Sequence, residues 1–143
     1  NTFFESFHIL NSKLLLQVNV NNRFVCAFLN KILTKYKNFD KILIVTNNIF
    51  ILESMHRFNE NYNLGLMTKN IVNEEILLYY IQKFNITFVC FHWSVLCPET
   101  IKYLHKNNIM IFGYKSKNNH MFNIMKEYNL TGIISDVYIF TET

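Results

Sequence analysis

Two amide side chains lie two residues apart in the apolar segment KLLLQVNV, residues 13–20. The leucines and valines around Gln17 and Asn19 predict a buried strand, and side chains two apart on a strand point to the same face. In a parallel barrel, alternate side chains point into the lumen and sites form at the carboxyl ends of the strands, so this pair is well placed to bind a ligand. The alternative is structural: both amides hydrogen-bond to neighbouring backbone or to each other, or one of them faces a helix.

A second group of chemically active residues is C-x-H-x4-C, formed by Cys90, His92 and Cys97. Cys90 and His92 share one face of the predicted strand ITFVCFHW, and both residue types bind soft or borderline metals. The spacing matches no standard zinc pattern, so the alternative is a buried thiol followed by a histidine at the strand end. The three cysteines include no CxxC pair, which favours reduced thiols over a disulfide framework.

Trp93 and Tyr114 also end predicted strands, where an aromatic ring can form the wall of a pocket beside His92. Packing of these rings against the preceding helix is the alternative. Asp136 follows the last predicted strand, where its carboxylate would bind a metal or begin a turn. The sequence has no carboxylate pair with acid–base spacing, no G-x-S-x-G elbow and no H-E-x-x-H helix.

Strand-like and helix-like segments alternate along the chain. Asn73 is predicted to cap one helix and Pro98 to open the next. Strand-like segments are short, apolar and rich in β-prone residues, whereas helix-like segments have apolar residues three or four positions apart. The strand-like segments are residues 13–20, 41–46, 62–67, 86–93, 109–114 and 131–136, and the helix-like segments are 21–40, 49–58, 73–84, 98–107 and 118–129.

This alternation predicts parallel strands, in either a doubly wound sheet or a (β/α)8 barrel. A doubly wound sheet usually has a Gly-rich first turn, but the only glycines are Gly65, Gly113 and Gly132. We therefore predict an α/β fold: a (β/α)8 TIM barrel that is incomplete here, with about six of its eight β/α units. Six strands by themselves would leave two sheet edges unpaired.

Composition limits the partners. The chain has 143 residues, of which 50% are hydrophobic, enough for one packed domain or part of a larger one. A net charge of +4 suits an acidic partner, but the usage of Asn, Lys and Ile is also what an AT-rich genome produces. Dispersed lysines and the lack of RNP-like aromatic motifs predict no nucleic-acid partner. No apolar run approaches the roughly 18 residues of a transmembrane span, whereas association with a membrane surface stays open.

In order and spacing, these segments resemble the carboxyl-terminal two-thirds of the glycerophosphodiester phosphodiesterase family. The most specific match is residues 130–136 (LTGIISD), which resemble V-D-G-I-I-T-D. Weaker matches occur in order along the chain: residues 2–6 (TFFES) with P-T-L-E-E, 16–19 (LQVN) with I-E-I-K, 45–47 (VTN) with S-S-F, 63–67 (NLGLM) with L-G-L-L, 104–108 (LHKNN) with a-H-a-x-G, and Tyr114 with the Trp or Tyr of W-T-V-N.

The resemblance implies a barrel of the phospholipase-C-like phosphodiesterase type. It implies hydrolysis of glycerophosphodiesters to an alcohol and glycerol 3-phosphate, or of lysophospholipids in some branches, assisted by a divalent cation such as Mg²⁺ or Ca²⁺. The family's two catalytic histidines, in H-R-G and H-D, fall upstream of this chain. We therefore expect residues 1–143 to be one partial domain whose catalytic portion precedes it, as the absence of an initial Met also suggests.

Gln17 falls at the family's metal-binding Glu, and Asn19 at the Lys that contacts phosphate. A neutral amide is a poorer ligand for a hard cation than a carboxylate, and an asparagine cannot supply positive charge to a phosphoryl transition state. Three hypotheses remain: a phosphodiesterase that is active when complete, a non-catalytic relative that binds a phosphodiester or lipid headgroup or acts through protein contacts, and an unrelated doubly wound domain. His92, Trp93 and Tyr114 are the predicted substrate-binding residues.

Overall fold

The computed structural model describes residues 3–10, 13–20, 22–35, 39–70, 73–116, 119–135 and 139–141. These residues form eight strands and five α-helices. The strands are β1 (Phe3–Leu10), β2 (Lys13–Val20), β3 (Ile42–Thr46), β4 (Asn63–Thr68), β5 (Ile86–His92), β6 (Met110–Ser116), β7 (Gly132–Ser135) and β8 (Ile139–Thr141). The helices are α1 (Cys26–Leu33), α2 (Ile49–Phe58), α3 (Glu74–Lys83), α4 (Pro98–Lys106) and α5 (Asn119–Lys126).

All eight strands form one sheet whose spatial order is the order of the chain. Strands β2 to β7 pair in parallel, each joined to the next by a helix. A doubly wound sheet reverses its strand order at a switch point, and the described strands have no such reversal. The six predicted β/α repeats are thus confirmed, as is the partial (β/α) barrel.

The prediction that the six parallel strands leave two unpaired sheet edges was wrong. β1 pairs antiparallel with β2, and β8 pairs antiparallel with β7, so both outer edges of the parallel strands are covered. β1 and β8 also contact each other, which brings the two ends of the sheet together. Covering or closing an edge removes a row of unpaired backbone groups that would otherwise pair with another chain.

Two hydrophobic cores lie on opposite faces of the sheet, because successive strand residues alternate between faces. The larger core packs the helices on the outer face and includes Ile44 and Val89. The smaller core fills the inner face, the lumen side of the barrel. Its buried members are Leu43, Val45, Phe88, Cys90, Phe112 and Tyr114.

A glycine makes room for a phenylalanine ring in the lumen. A Cβ built on Gly65 would lie 2.1 Å from Cε2 of Phe88, and the pairing of β4 with β5 shifts register at Leu64 and Gly65. The buried Phe88 ring in turn meets Phe112 edge-on, with centroids 6.0 Å apart. The close approach explains why this lumen position is a glycine.

Two of the helices, α2 and α3, begin with asparagine side-chain caps near the carboxyl ends of the preceding strands. The Asn48 side chain accepts a hydrogen bond from the backbone N–H of Phe50, at 2.8 Å. The predicted cap Asn73 is confirmed: its side chain accepts from Glu75 and Ile76 N–H groups, at 2.9 and 3.1 Å. Pro98 opens α4, also as predicted. Within the described residues, no helix combines the length and the hydrophobicity that crossing a membrane requires.

Candidate functional site

The six parallel strands end at the same edge of the sheet, which is where β/α barrels place their active sites. His92 is the last residue of β5 and pairs in register with Tyr114 of β6. Both therefore lie at the carboxyl end of the lumen. The sequence predicted this neighbourhood because the carboxyl ends of adjacent parallel strands meet.

Gln17 and Asn19 occupy positions on β2 that line up with the lumen core. Their backbones pair with Leu43 and Val45 of β3, and both of these belong to the inner-face cluster. The side chains of Gln17 and Asn19 are outside the described part of the structure. Their predicted role as replacements for a metal ligand and a phosphate-contacting lysine thus remains a prediction.

His92 stands at the centre of a small polar and aromatic group. Its Nδ1 lies 2.7 Å from Ser94 Oγ and accepts the backbone N–H of Ser94 at 3.2 Å. The imidazole meets the Tyr114 ring edge-on, with centroids 5.4 Å apart, and lies 5.8 Å from the Trp93 ring. His92 and Tyr114 thus meet on the lumen side, whereas Trp93 packs against the outer core, the packing alternative for this ring. Ser94 was not predicted, since nothing in the sequence marked a serine just after the strand.

Tyr114 is the most enclosed member of this group. Only 4% of it is exposed, and its hydroxyl donates a hydrogen bond to the Thr68 carbonyl at 3.2 Å. Because Thr68 ends β4, the phenol ties β6 to β4 across the intervening β5. Burial, together with the neighbouring Cys90, raises the pKa of Tyr114 to about 12.

The raised pKa makes a prediction about alkaline stability. The usual pKa is 10, so the folded protein holds this proton more tightly than the unfolded chain does. The protonated phenol therefore stabilises the folded protein by an amount on the order of 2 kcal/mol. This stabilisation is complete below about pH 10 and is lost as the pH rises toward about 12. In urea unfolding, Tyr114→Phe should therefore lose less stability than the wild type between about pH 9 and 12. Cys90 is coupled to this phenol but is present in both proteins, so parallel pH profiles would contradict the assignment.

The cysteines do not assemble with His92 into a metal site. Cys90 is fully buried in the lumen core, and that burial raises the pKa of its thiol far above the ordinary range. Cys97 lies at the start of α4, where its Sγ donates to Glu99 Oε2 at 3.0 Å. This hydrogen bond lowers the pKa of the exposed Glu99 carboxyl. The C-x-H-x4-C spacing thus corresponds to the buried thiol and strand-end histidine of the structural alternative.

The described residues do not fit the divalent cation that the resemblance implies. No group of three or more His, Cys, Asp or Glu side chains that could hold a metal occurs among them. The described inner-face side chains near the carboxyl end include Met67, His92 and Tyr114, and these do not make the oxygen-rich set that Mg²⁺ or Ca²⁺ takes. Asp136, the remaining candidate ligand, lies outside the described residues.

A separate groove runs along the outside of the barrel, between α4 and the segment from α5 to β7. It has a volume of about 580 Å³ and is lined mainly by Ile101, Ile124 and Tyr128, with Lys102 and Glu127 at its polar side. The groove lies in the helical layer, outside the lumen where His92 and Tyr114 meet. It is therefore not the predicted substrate site.

Similarity to solved structures adds a comparison at the level of the fold. No family sequence model and no curated protein sequence matches the chain. A phosphodiesterase from Oleispira antarctica, solved with the product sn-glycerol-3-phosphate, matches with a TM-score of 0.70 at 13% identity, over 80% of this chain and 46% of that one. A glycerophosphodiester phosphodiesterase from Parabacteroides distasonis matches with a TM-score of 0.70 at 10% identity, over 83% of this chain and 52% of that one. A glycerophosphodiester phosphodiesterase from Thermotoga maritima matches with a TM-score of 0.66 at 15% identity, over 82% of this chain and 53% of that one.

The predicted resemblance is confirmed in the fold. This chain has the architecture of glycerophosphodiester phosphodiesterases and spans about half the length of the solved structures it matches. At these identities the likeness shows how the chain is folded, and the chemistry must be argued from its own residues.

Proposed function

We propose that the chain forms part of a glycerophosphodiester phosphodiesterase-type domain, which when complete hydrolyses glycerophosphodiesters or lysophospholipids. For a glycerophosphodiester the products are an alcohol and glycerol 3-phosphate. The observation that carries the proposal is the run of six consecutive parallel strands in barrel order, which aligns with three solved phosphodiesterases. One of those enzymes was solved with sn-glycerol-3-phosphate, the product expected here.

In this proposal the chain's own residues bind and orient the substrate. His92 and Ser94 place an imidazole and a hydroxyl side by side at the carboxyl end of β5, and both can hydrogen-bond to phosphate oxygens. Trp93 touches the His92 ring but packs against the outer core, so we give it no direct contact with the substrate. Tyr114 holds the strands beneath them through its bond to Thr68. The divalent cation belongs to the complete domain, and we derive no step through it from these residues.

A non-catalytic relative is the second candidate. It is favoured by the amides Gln17 and Asn19, which stand where the resembling family has a charged pair. Such a domain would still bind a phosphodiester or lipid headgroup at His92 and Ser94, but it would not hydrolyse it. Binding and hydrolysis therefore have to be measured separately.

Both candidates require the domain to bind the ligand. Isothermal titration calorimetry with sn-glycerol-3-phosphate tests that binding. We expect the wild type to bind and His92→Ala to bind at least about tenfold more weakly, because a hydrogen bond to a charged group is lost. His56→Ala is the matched control, since His56 lies on α2 and contacts the Phe84 ring in the outer layer. Equal affinity of the His92→Ala and wild-type proteins would remove His92 from the site. No binding by the wild type would contradict the proposal itself.

Hydrolysis of glycerophosphocholine by the full-length protein, with Mg²⁺ or Ca²⁺ present, then separates the two candidates. Release of glycerol 3-phosphate supports the enzyme. Binding without release supports the non-catalytic relative. The His92→Ala variant serves as the negative control in the same assay.

A further inference from the structure

One side of the first helical segment exposes large apolar and cationic side chains. Phe24, just before α1, is 81% exposed, and Phe28 is 58% exposed. Lys31 on α1 and Lys35, two residues after α1 ends, are exposed as well. The spacings of four, three and four residues are those of one helical side, although Phe24 and Lys35 flank α1 rather than belong to it. We group with them Phe50, exposed on the neighbouring helix α2, and call the set the α1 face: Phe24, Phe28, Lys31, Lys35 and Phe50.

The α1 face is not part of either core. The opposite side of α1 presents Cys26, Leu29 and Leu33, all of which are buried in the outer core. Asn30 accepts a hydrogen bond from the Tyr62 hydroxyl at 2.6 Å, which orients the helix on its neighbours. The buried side of α1 therefore anchors the helix, while most of Phe24 and Phe28 stays accessible. Their exposure calls for a partner surface.

The α1 face extends to the rim of the barrel where His92 lies. Phe50 is in the first turn of α2 and is 68% exposed. The 3-10 helix Arg23–Val25, which carries Phe24, contacts α2. Both helical segments follow the carboxyl ends of their strands, the same end at which β5 and β6 place His92 and Tyr114. A surface that covers these phenylalanines would thus adjoin the mouth of the lumen.

Charge identifies the kind of surface. Residues 6–39 contain five Lys or Arg residues and no Asp or Glu, whereas the rest of the chain has nine basic and ten acidic residues. On α2, Glu53 is paired with Arg57 at 2.8 Å, so it does not offset the lysines of α1. The positive charge of the chain is therefore concentrated in the segment that carries the exposed aromatics. Aromatic and basic side chains on one helical face are typical of helices that lie on anionic membranes.

We propose that the α1 face docks the protein on an anionic phospholipid surface. Phe24, Phe28 and Phe50 enter the headgroup region, and Lys31 and Lys35 contact lipid phosphates. A second copy of the chain fits less well, because a two-fold contact would bring two acid-free cationic faces together. The consequence for substrate rests on the proposed function: the phosphodiester would be presented at a lipid surface, next to the rim.

Co-sedimentation with vesicles tests the docking without any hydrolysis. We expect the wild type to bind phosphatidylcholine vesicles containing phosphatidylserine at least about tenfold more tightly than pure phosphatidylcholine vesicles, and salt to weaken the binding. The variant F24S/F28S/F50S and the variant K31E/K35E should each lose at least about tenfold in partition coefficient. All substituted side chains are exposed, and circular dichroism checks that the variants fold.

Two matched controls isolate the α1 face. Phe58→Ser changes the same residue type at the other end of α2, where Phe58 is 47% exposed. K102E/K106E reverses two exposed lysines four residues apart on α4. Wild-type binding by both controls, with loss in both test variants, supports the proposal. Equal loss in controls and test variants, or no vesicle binding by the wild type, overturns it.

Failure of the docking is distinguishable from failure of the proposed function. Glycerol 3-phosphate binding at His92 is measured without vesicles, and vesicle binding is measured without glycerol 3-phosphate. A different outcome would overturn the lipid proposal: the wild type self-associates but does not bind vesicles, and F24S/F28S/F50S no longer self-associates. The α1 face would then be assigned to contacts between copies of the chain. Analytical ultracentrifugation of the same variants makes that measurement.

Discussion

Substituting alanine for Gly65 is expected to lower the free energy of unfolding by about 3 kcal/mol, the upper end for overpacking in a core. The new methyl carbon would lie 2.1 Å from Cε2 and 2.2 Å from Cζ of Phe88, far inside van der Waals contact. The Phe88 ring cannot swing away freely, because it is fully buried and meets Phe112 edge-on. Urea unfolding of the two proteins at neutral pH measures the difference.

Two further variants show whether the ring is the cause. Gly113→Ala is the matched control: its new carbon would lie 2.8 Å from Met125 Sδ, and a flexible thioether yields more easily than a packed ring, so we expect a loss of about 1 kcal/mol. In G65A/F88L the smaller leucine removes the clash. The loss of unfolding free energy in this double variant should therefore be at least about 1 kcal/mol smaller than the sum of the losses in the two single variants. Additive losses would contradict a direct clash between residues 65 and 88.

Restoring charge at the two amides of β2 is expected to have the largest effect on activity. In the full-length protein, Q17E/N19K should raise the rate of glycerophosphocholine hydrolysis with Mg²⁺ or Ca²⁺ by about a hundredfold, the size of effect that one well-placed electrostatic group has on catalysis. A glutamate supplies the carboxylate that a hard cation takes, and a lysine supplies positive charge for the phosphoryl group. Both positions pair with lumen-core residues of β3, so they lie on the strand face that lines the lumen.

The matched control for the charge is Q17E/N19M, in which methionine has a long unbranched side chain without the ammonium group. We expect it to gain less than Q17E/N19K. If neither variant hydrolyses the substrate while both still bind glycerol 3-phosphate, the missing charges are not what limits activity. The non-catalytic candidate would then be the better description of this protein.

Most of the secondary structure was predictable because its signals are local. Six apolar runs, with β-branched and aromatic residues, became β2 to β7, and the runs with helical spacing between them became the five helices. The cap at Asn73 and the helix start at Pro98 follow from side-chain chemistry within a few residues. β1 and β8 were missed because their pairing depends on which edges the parallel strands leave open. A strand's own sequence does not carry that information.

The candidate site was predictable only in part. Parallel strands share one carboxyl edge, so the positions of His92 and Tyr114 at strand ends were enough to predict that they meet. The sequence did not show that the Tyr114 hydroxyl crosses β5 to reach Thr68, since that bond joins residues far apart in the chain. It also did not show that Ser94 turns back onto His92 Nδ1, which depends on the 3-10 helix that follows β5.

By itself, then, the amino-acid order determined the β/α alternation, the parallel strands and the strand-end residues, because each depends on periodicity or on short-range hydrogen bonding. Only the tertiary structure decided which face of each strand lines the lumen, that Gly65 yields its space to the Phe88 ring, and that the sheet is covered at both edges. It also decided that Phe24, Phe28 and Phe50 stay exposed, although their residue type favours burial. Burial is a property of neighbours brought together by the whole chain, and it follows the packing of the helices on the sheet rather than the hydrophobicity of a single residue.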